Sequence, residues 1–209
     1  MPERHASYEW SRAGHYGAAG GGVALAEAMI ACAWNAQGDA RSARFADQAR
    51  RLFGVALPLS PGTIARNEAA TALWFGPASW LLLSPLASSP FADFDAKREA
   101  LGAAGGALFD VTASRIAWTI SGPHADSVLA KSCPLDFDQR AFAPGTCAQS
   151  LLGHVPALFV RSDAAFTVLV GRSFARDVWR ALTEAAAQYG YDVGLALPFE
   201  SGASATRSG

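Results

Sequence analysis

The chain has 209 residues, enough to bury a core in one domain or in two small lobes packed as one unit. Its formal net charge is −1 and its pI is about 6.4, so it lacks the large basic face of a protein that binds nucleic acid. The three cysteines, Cys32, Cys133 and Cys147, form no CxxC pair, which argues against a zinc site and against a disulfide framework.

Charged residues make up only 17% of the chain and hydrophobic residues make up 51%. Two explanations fit these numbers equally well. In the first explanation, part of the surface is buried against partner chains, because large obligate interfaces resemble a protein core. Alternatively, many alanines raise the hydrophobic count without adding large side chains. The polar N-terminus and the lack of a long apolar run predict a cytoplasmic protein with no membrane segment.

Glycines and weak periodicity at the two ends predict flexible termini. Residues 1–20 are predicted to form a flexible leader and residues 201–209 a flexible tail, which leaves one α+β domain over 21–200, with room for two packed lobes. Within it, the mostly small and apolar segment 23–34 is predicted to contain the first strand.

Regular spacing of apolar residues predicts the next elements. Alanines and large apolar residues recur at near-helical spacing over 39–53, and Gly54 follows in the position of a C-cap, so we expect a helix that ends there. The apolar runs 71–75 and 80–83 are separated by Gly76-Pro77 and predict a β-hairpin.

The middle of the chain alternates in the same way. A helix is predicted over 91–101, followed by strands at 108–111 and 115–120. Pro123 favours the start of a second helix that continues to Lys131, since proline is suited to a first helical position.

The C-terminal third has three β-prone runs and one amphipathic helix. The strands are expected at 147–152, 155–160 and 166–170. The helix is predicted to start at Ser173 as N-cap and to end at Gly190, with an apolar stripe of Phe174, Val178, Leu182 and Ala185. This order matches β-α-β-β-α-β units of the ferredoxin-like kind and predicts the α+β class.

No residue pattern in the chain points to an active site. The histidines His5, His15, His124 and His154 have no second ligand at a metal-binding spacing, so each is interpreted as structural or solvated. There is no G-x-S-x-G elbow, and the glycine-rich stretches 17–22 and 102–106 match no phosphate-binding loop. Cys133 and Cys147 are interpreted as buried structural thiols, and a nucleophilic role for either would require a histidine nearby in space.

Several short motifs, in a fixed order, carry a resemblance to a known family. They are FGP at 75–77, WLLL at 80–83, FDVTASR at 109–115, ISGPHA at 120–125, KSCPLDF at 131–137, AFAPGTCAQ at 141–149 and GRSFA at 171–175. Together they resemble the gamma subunit of heterotetrameric sarcosine oxidase, over roughly residues 23–190.

The resemblance implies a fold similar to that of the folate-binding aminomethyltransferases. It also implies a non-catalytic role beside alpha, beta and delta subunits. The complex would oxidatively demethylate sarcosine to glycine, forming hydrogen peroxide and methylene-tetrahydrofolate. FAD, FMN, NAD, tetrahydrofolate and zinc would be held by the other subunits, and this chain would bind none of them.

The motif residues are expected to shape turns and helix ends. They are Asp110, Ser114, Gly122, Pro123, Pro134, Asp136, Phe142, Pro144, Gly145 and Ser173. Asp110 and Ser114 are expected to bond neighbouring backbone in a turn between two strands, and a ligand role for Asp110 is the alternative. Asp136 is expected to form a turn.

Two positions depart from the family pattern. Thr112 stands where the resemblance implies serine, and Gly171 stands where it implies proline. These departures leave open a related complex such as N-methylglutamate dehydrogenase. A free-standing folate-binding one-carbon transferase and an unrelated scaffold module are further alternatives.

Four tryptophans are candidate anchors for partner chains, because aromatic residues are enriched in binding hot spots. They are Trp74, Trp80, Trp118 and Trp179. Packing in the core is the favoured interpretation for most of them.

Overall fold

Short strands dominate the part of the chain that the structure describes. The computed structural model describes residues 12–84 and 91–199. In chain order the strands are Gly14–Tyr16 (β1), Val23–Met29 (β2), Cys32–Gln37 (β3), Ile64–Arg66 (β4), Thr71–Gly76 (β5), Ser79–Ser84 (β6), Ala107–Asp110 (β7), Arg115–Ser121 (β8), Thr146–Leu152 (β9), Val155–Arg161 (β10), Ala165–Gly171 (β11), Tyr191–Val193 (β12) and Leu197–Pro198 (β13). The α-helices are Ala43–Phe53 (α1), Phe94–Ala103 (α2), Ala125–Ala130 (α3) and Ala175–Ala186 (α4).

The strands form two sheets, and each is built around a ferredoxin-like unit. The smaller sheet has the order β4-β5-β6-β3-β7, so β3, α1, β5, β6, α2 and β7 follow the predicted pattern and β4 extends the edge. The larger sheet has the order β1-β12-β2-β8-β11-β10-β9, with β13 beside β2. In a simple ferredoxin-like unit the last strand, here β12, would lie next to β8. In this sheet β2 lies between β12 and β8. The predicted α+β class is confirmed.

Alternating side chains divide the apolar residues among three cores. One core lies between the two sheets and includes Leu73 and Leu81 of the smaller sheet and Leu158 and Leu169 of the larger. A second packs α3 and α4 on the outer face of the larger sheet, and a third packs α1 and α2 on the outer face of the smaller sheet. The layers therefore run helix, sheet, sheet, helix.

The segment 23–34 contains the predicted first strand and the start of a second one. Strand β2 pairs with β8 in the larger sheet, whereas β3 pairs with β6 and β7 in the smaller. The chain crosses between sheets at Ile30 and Ala31, and the amide of Ala31 donates to the carbonyl of Ser84. Because both strands are small and apolar, the sequence pattern hides this crossing.

The prediction that Ser173 caps the start of the last helix is wrong. Residues Arg172–Phe174 form a 3-10 turn, α4 begins at Ala175, and Ser173 makes no side-chain cap. The buried face of α4 consists of Ala175, Val178, Trp179, Leu182 and Ala186, while Phe174 is 39% exposed. Of the predicted stripe, Val178 and Leu182 are buried, whereas Ala185 is partly buried and Phe174 precedes the helix.

Both ends of the described chain add strands to the larger sheet. Strand β1 lies inside the predicted leader and pairs with β12, where Tyr16 stacks on Tyr191 with ring centroids 5.4 Å apart. Strands β4, β12 and β13 are two or three residues long and carry no clear alternation, so they were not predicted. The tail 201–209 lies outside the described residues. None of the helices in the described ranges is long and apolar enough to cross a membrane.

Candidate functional site

The turn between β7 and β8 uses its polar side chains to hold backbone. A carboxylate oxygen of Asp110 accepts from the amide of Thr112 at 2.9 Å, and the hydroxyl of Ser114 donates to the carbonyl of Val111 at 2.8 Å. The Thr112 hydroxyl accepts from the amide of Ala33 at 2.9 Å and lies 3.2 Å from its carbonyl oxygen. These contacts match the expected turn roles of Asp110 and Ser114, and they join this turn to β3.

Gly122 and Pro123 form the turn that leads from β8 into α3. Gly122 has φ of 101°, and an added Cβ would lie 2.9 Å from the carbonyl oxygen of Gly22. Both features require glycine, because other side chains rarely adopt this conformation and none would fit.

A cavity of about 210 Å³ lies beside this turn and is lined by Asp126, Arg161 and Asp163, among others. Arg161 donates to the carbonyl of Phe137 at 2.6 Å and lies over the ring of Phe166 at 4.8 Å. Asp126 accepts from the amide of Ser127 at 2.6 Å. Two of the three charged groups are thus engaged with neighbouring residues.

The loop between α3 and β9 is organised by turns and by one aromatic cluster. Asp136 accepts from the amide of Asp138 at 2.9 Å, as expected for a turn-forming residue. Phe142 is 7% exposed and joins Phe137 and Phe166 in the core of the larger sheet. The remaining motif residues of this loop are Pro134, which is exposed, and Pro144-Gly145, where the amide of Gly145 donates to the carbonyl of Arg161 at 2.8 Å.

The candidate tryptophan anchors lie mainly in the core. Trp80, Trp118 and Trp179 are 1%, 2% and 5% exposed, and only Trp74 is half-buried. Trp118 packs on Trp179 between β8 and α4 with ring centroids 6.2 Å apart. These three side chains are unavailable to a partner, so their assignment as surface anchors is corrected to core packing.

The cysteines Cys133 and Cys147 are buried. The Cys147 sulfur lies 3.6 Å from the carbonyl oxygen of Thr63 and 3.8 Å from that of Trp74. Burial raises the pKa of the Cys147 thiol to about 11, so it is protonated at neutral pH. Burial, with a smaller effect from Asp110, also raises the pKa of Cys32.

We expect Cys147 to resist alkylation in the folded chain. At pH 8 its thiolate fraction is very small because the pKa is raised to about 11, and the sulfur is shielded by backbone. Reaction with iodoacetamide, followed by peptide mass spectrometry, should modify Cys147 at least about 100-fold more slowly than in the chain unfolded by guanidinium. Equal rates in the two states would contradict this account of the site.

His15 forms the one histidine ion pair of the described residues. Its Nδ1 lies 2.8 Å from a carboxylate oxygen of Asp192, and its Nε2 lies 3.0 Å from the carbonyl oxygen of Ala18. The bond to Asp192, and then the bond to Ala18, raise the pKa of His15 above 6.5. A raised pKa in the folded state stabilises the β1–β12 pairing fully below pH 6.5, and this contribution is lost as pH rises through the folded-state pKa.

An NMR titration of the His15 ring is therefore expected to have its midpoint above 6.5. In the Asp192→Asn variant the midpoint should fall, because the carboxylate that favours the imidazolium is gone. A midpoint that does not change with this substitution would show that the ion pair is not formed in solution.

The described residues bring together no set of metal ligands. Among residues 12–84 and 91–199, no three His, Cys, Asp or Glu side chains are placed to hold a metal ion. A cavity of about 510 Å³ lies between α1 and α2 and is lined by Arg44, Asp47, Gln48, Arg51, Ala100, Ala103 and Ala104. It is shallow and bordered by alanines, and its charges are of both signs.

One row of residues was missed by sequence reasoning, on the inner face of the larger sheet. It runs across four strands, where Arg115 pairs with Gly171, Gly171 lies beside Pro156, and Pro156 pairs with Leu151. Pro156 is exposed and Leu151 is 46% exposed. Only the order of the strands shows that these residues share one face.

The chain is similar to proteins that are named as gamma subunits of sarcosine oxidase. The sarcosine oxidase, gamma subunit family matches residues 37–188. The sarcosine oxidase subunit gamma of Corynebacterium sp. (strain P-1) is 31% identical over 175 residues, which are 83% of this chain and 84% of the relative. The protein of the same name from Arthrobacter sp. is 33% identical over 159 residues, 76% of each chain.

Two solved structures are similar in fold. A chain of the heterotetrameric sarcosine oxidase from Corynebacterium sp. U-96, in complex with pyrrole 2-carboxylate, has a TM-score of 0.70 and 26% identity, covering 83% of this chain and 88% of that chain. The glycine cleavage system aminomethyltransferase T from Bartonella henselae has a TM-score of 0.57 and 11% identity, covering 84% of this chain and 48% of that chain. The second likeness shows the fold alone, and it confirms the expected similarity to the folate-binding aminomethyltransferases.

Proposed function

This chain belongs to the sarcosine oxidase gamma subunit family, and we propose from that premise that it serves as the gamma subunit of a heterotetrameric sarcosine oxidase. Its role is to support assembly of a complex whose other chains oxidise the substrate. The chain is thus part of an oxidoreductase, and its own residues are structural.

The extent of the two structural likenesses carries this proposal. The chain spans 88% of the matching sarcosine oxidase chain but only 48% of the aminomethyltransferase. The matched region thus corresponds to most of the oxidase chain and to about half of the aminomethyltransferase, which favours the oxidase subunit as the model for this chain.

The motif residues support the same role, because their polar groups are engaged inside the chain. Asp110, Ser114 and Asp136 each hydrogen-bond to backbone within three residues. Such contacts fix turns. These three contacts support a structural role for Asp110, Ser114 and Asp136.

We assign the cofactors and the remaining partners to other chains. In this proposal the alpha, beta and delta subunits hold FAD, FMN, NAD, tetrahydrofolate and zinc, and the assembled protein is cytoplasmic. Those chains convert sarcosine to glycine, with hydrogen peroxide and methylene-tetrahydrofolate as the further products.

A free-standing folate-binding one-carbon transferase is the second candidate, and the likeness to aminomethyltransferase T favours it. It requires tetrahydrofolate binding by the isolated chain. A gamma subunit of N-methylglutamate dehydrogenase differs from the first proposal only in substrate, which the other chains determine.

The test is to purify the tagged chain from its own cells and assay what accompanies it. The proposal predicts a yellow preparation with three further chains that releases hydrogen peroxide when sarcosine is added. Activity on N-methylglutamate but not on sarcosine would assign the chain to the related dehydrogenase. A colourless preparation of this chain alone, with tetrahydrofolate bound, would favour the transferase.

A further inference from the structure

The first strand lies on the larger sheet without belonging to a core. We call residues 12–22 the N-terminal strap; they comprise β1 and a segment of Gly and Ala that joins it to β2. Residues 12–21 are all exposed, and none of the three cores includes a residue of the strap. Segments with so few buried contacts open locally at a lower free-energy cost than the fold as a whole.

Few contacts fasten the strap to the rest of the chain. Strand β1 pairs with β12 over three residues, and Tyr16 stacks on Tyr191. The amide of Ala18 donates to the carbonyl of Ala187 at 2.9 Å. Strand β12 does not depend on these contacts, because it also pairs with β2 and its Val193 is 7% exposed. The larger sheet therefore keeps its core when the strap is released.

His15 and Asp192 add a charged contact across this pairing. They are directly opposite partners, and their side chains meet at 2.8 Å. The second ring nitrogen of His15 bonds to the carbonyl of Ala18, which lies in the strap and is released with it. Among the described residues, Asp192 is the charged side chain that acts on this imidazole. The bond to Asp192 is therefore the side-chain bond of His15 that opening breaks.

The same contact makes closing depend on pH. A protonated imidazole bonds to a carboxylate more strongly than a neutral one, so the bond to Asp192 raises the pKa of His15 above 6.5. The closed strap thus keeps the proton of His15 to a higher pH than the released strap. Its stabilising effect is fully present below pH 6.5 and is lost as pH rises through the pKa of the closed form.

We propose that the N-terminal strap is a pH-sensitive latch that opens locally, and that its release bares the edge of β12 while the rest of the larger sheet stays folded. When the strap is closed, β1 occupies the backbone groups of β12 that another chain would otherwise pair with. Once His15 is neutral, the edge is bare for a larger fraction of the time. The latch is independent of the complex that the chain joins.

Hydrogen exchange of the full-length chain, followed by peptide mass spectrometry at pH 5.5 and pH 8.5, tests the latch. Each peptide is compared with the same peptide in the unfolded chain at the same pH, which removes the intrinsic pH dependence of exchange. The strap should be less protected than β8 and β11 at both pH values. Its protection should fall about two- to fivefold from pH 5.5 to pH 8.5, the range expected for an exposed ion pair.

Three variants assign the effect. Asp192→Asn should remove the pH dependence of strap protection. Glu68→Gln, which neutralises an exposed carboxylate between β4 and β5 in the smaller sheet, should keep it. Tyr16→Ala should lower the protection at both pH values and also keep the pH dependence, because it removes only the aromatic stack.

A second histidine lies near the far end of the strap, where His124 stacks on Tyr189 and its amide donates to the carbonyl of Gly22. Asp192→Asn leaves His124 in place, so loss of the pH dependence in this variant assigns it to His15. Strap protection equal to that of β8 and β11 would overturn local opening. A wild-type pH dependence in Asp192→Asn would overturn the latch, and either result would leave the subunit role intact.

Discussion

Replacing Trp80 by alanine is expected to lower the free energy of unfolding by about 3–5 kcal/mol. The side chain is 1% exposed and lies 5.8 Å from the ring of Phe45, centroid to centroid, in the core beneath α1. Its Nε1 donates to the carbonyl of Pro58 at 2.7 Å. The substitution leaves a cavity and an unpaired carbonyl, and urea denaturation of the purified chain measures the loss.

Trp80→Phe is the matched control for this prediction. It retains much of the aromatic packing and removes the hydrogen bond, so the expected loss is about 1–3 kcal/mol. If Trp80 were an anchor for a partner chain, Trp80→Ala would weaken assembly and leave unfolding of the isolated chain nearly unchanged. That result would contradict the core position of the side chain.

Replacing Gly190 by alanine is expected to destabilise the chain by about 2–5 kcal/mol, because two costs add. Gly190 has φ of 70°, which disfavours any other residue. An added Cβ would also meet the carbonyl oxygens of Ala18 and Gly20. This glycine lets the chain pass from α4 into β12 beneath the segment that follows β1, so the substitution disturbs the N-terminal edge of the larger sheet.

Gly153→Ala separates the two costs. Gly153 has φ of 62° in the β9–β10 hairpin, and an added Cβ would have no atom within 4 Å. Its expected loss is therefore only the conformational cost of about 1–2 kcal/mol. Equal losses at Gly190 and Gly153 in urea denaturation would show that the close approach near Gly190 is absent.

Strong local patterns were sufficient to predict much of the fold. Strands β9, β10 and β11 come from short β-prone runs and lie within one residue of the predicted ranges. Gly54 ends α1 as expected, with its amide donating to the carbonyl of Arg50. Such features depend on neighbours in sequence, which the sequence displays directly.

Features that depend on distant contacts were missed. The crossing between β2 and β3 is defined by which sheet each strand joins, and strand β12 is defined by its pairing with β1 and β2. The tryptophans show the same limit. Local sequence does not distinguish an aromatic residue that packs under a helix from one that faces a partner.

The sequence motifs indicated the family, and the structure shows which local contacts the motif residues make. Asp110 and Ser114 hydrogen-bond to backbone within the turn, as these residue types do over two or three positions. The row Arg115, Gly171, Pro156 and Leu151 was not predicted, because these residues share one face of the larger sheet only through the order of its strands. The domain limits at 21–200 stay a prediction.

Native mass spectrometry of the assembly purified through a tag on this chain tests the central claim most directly. The subunit account predicts one copy of this chain with one copy each of three other chains, and flavin absorbance that travels with them. A stable, colourless monomer that binds tetrahydrofolate by itself would contradict it and would make the chain a free-standing folate protein.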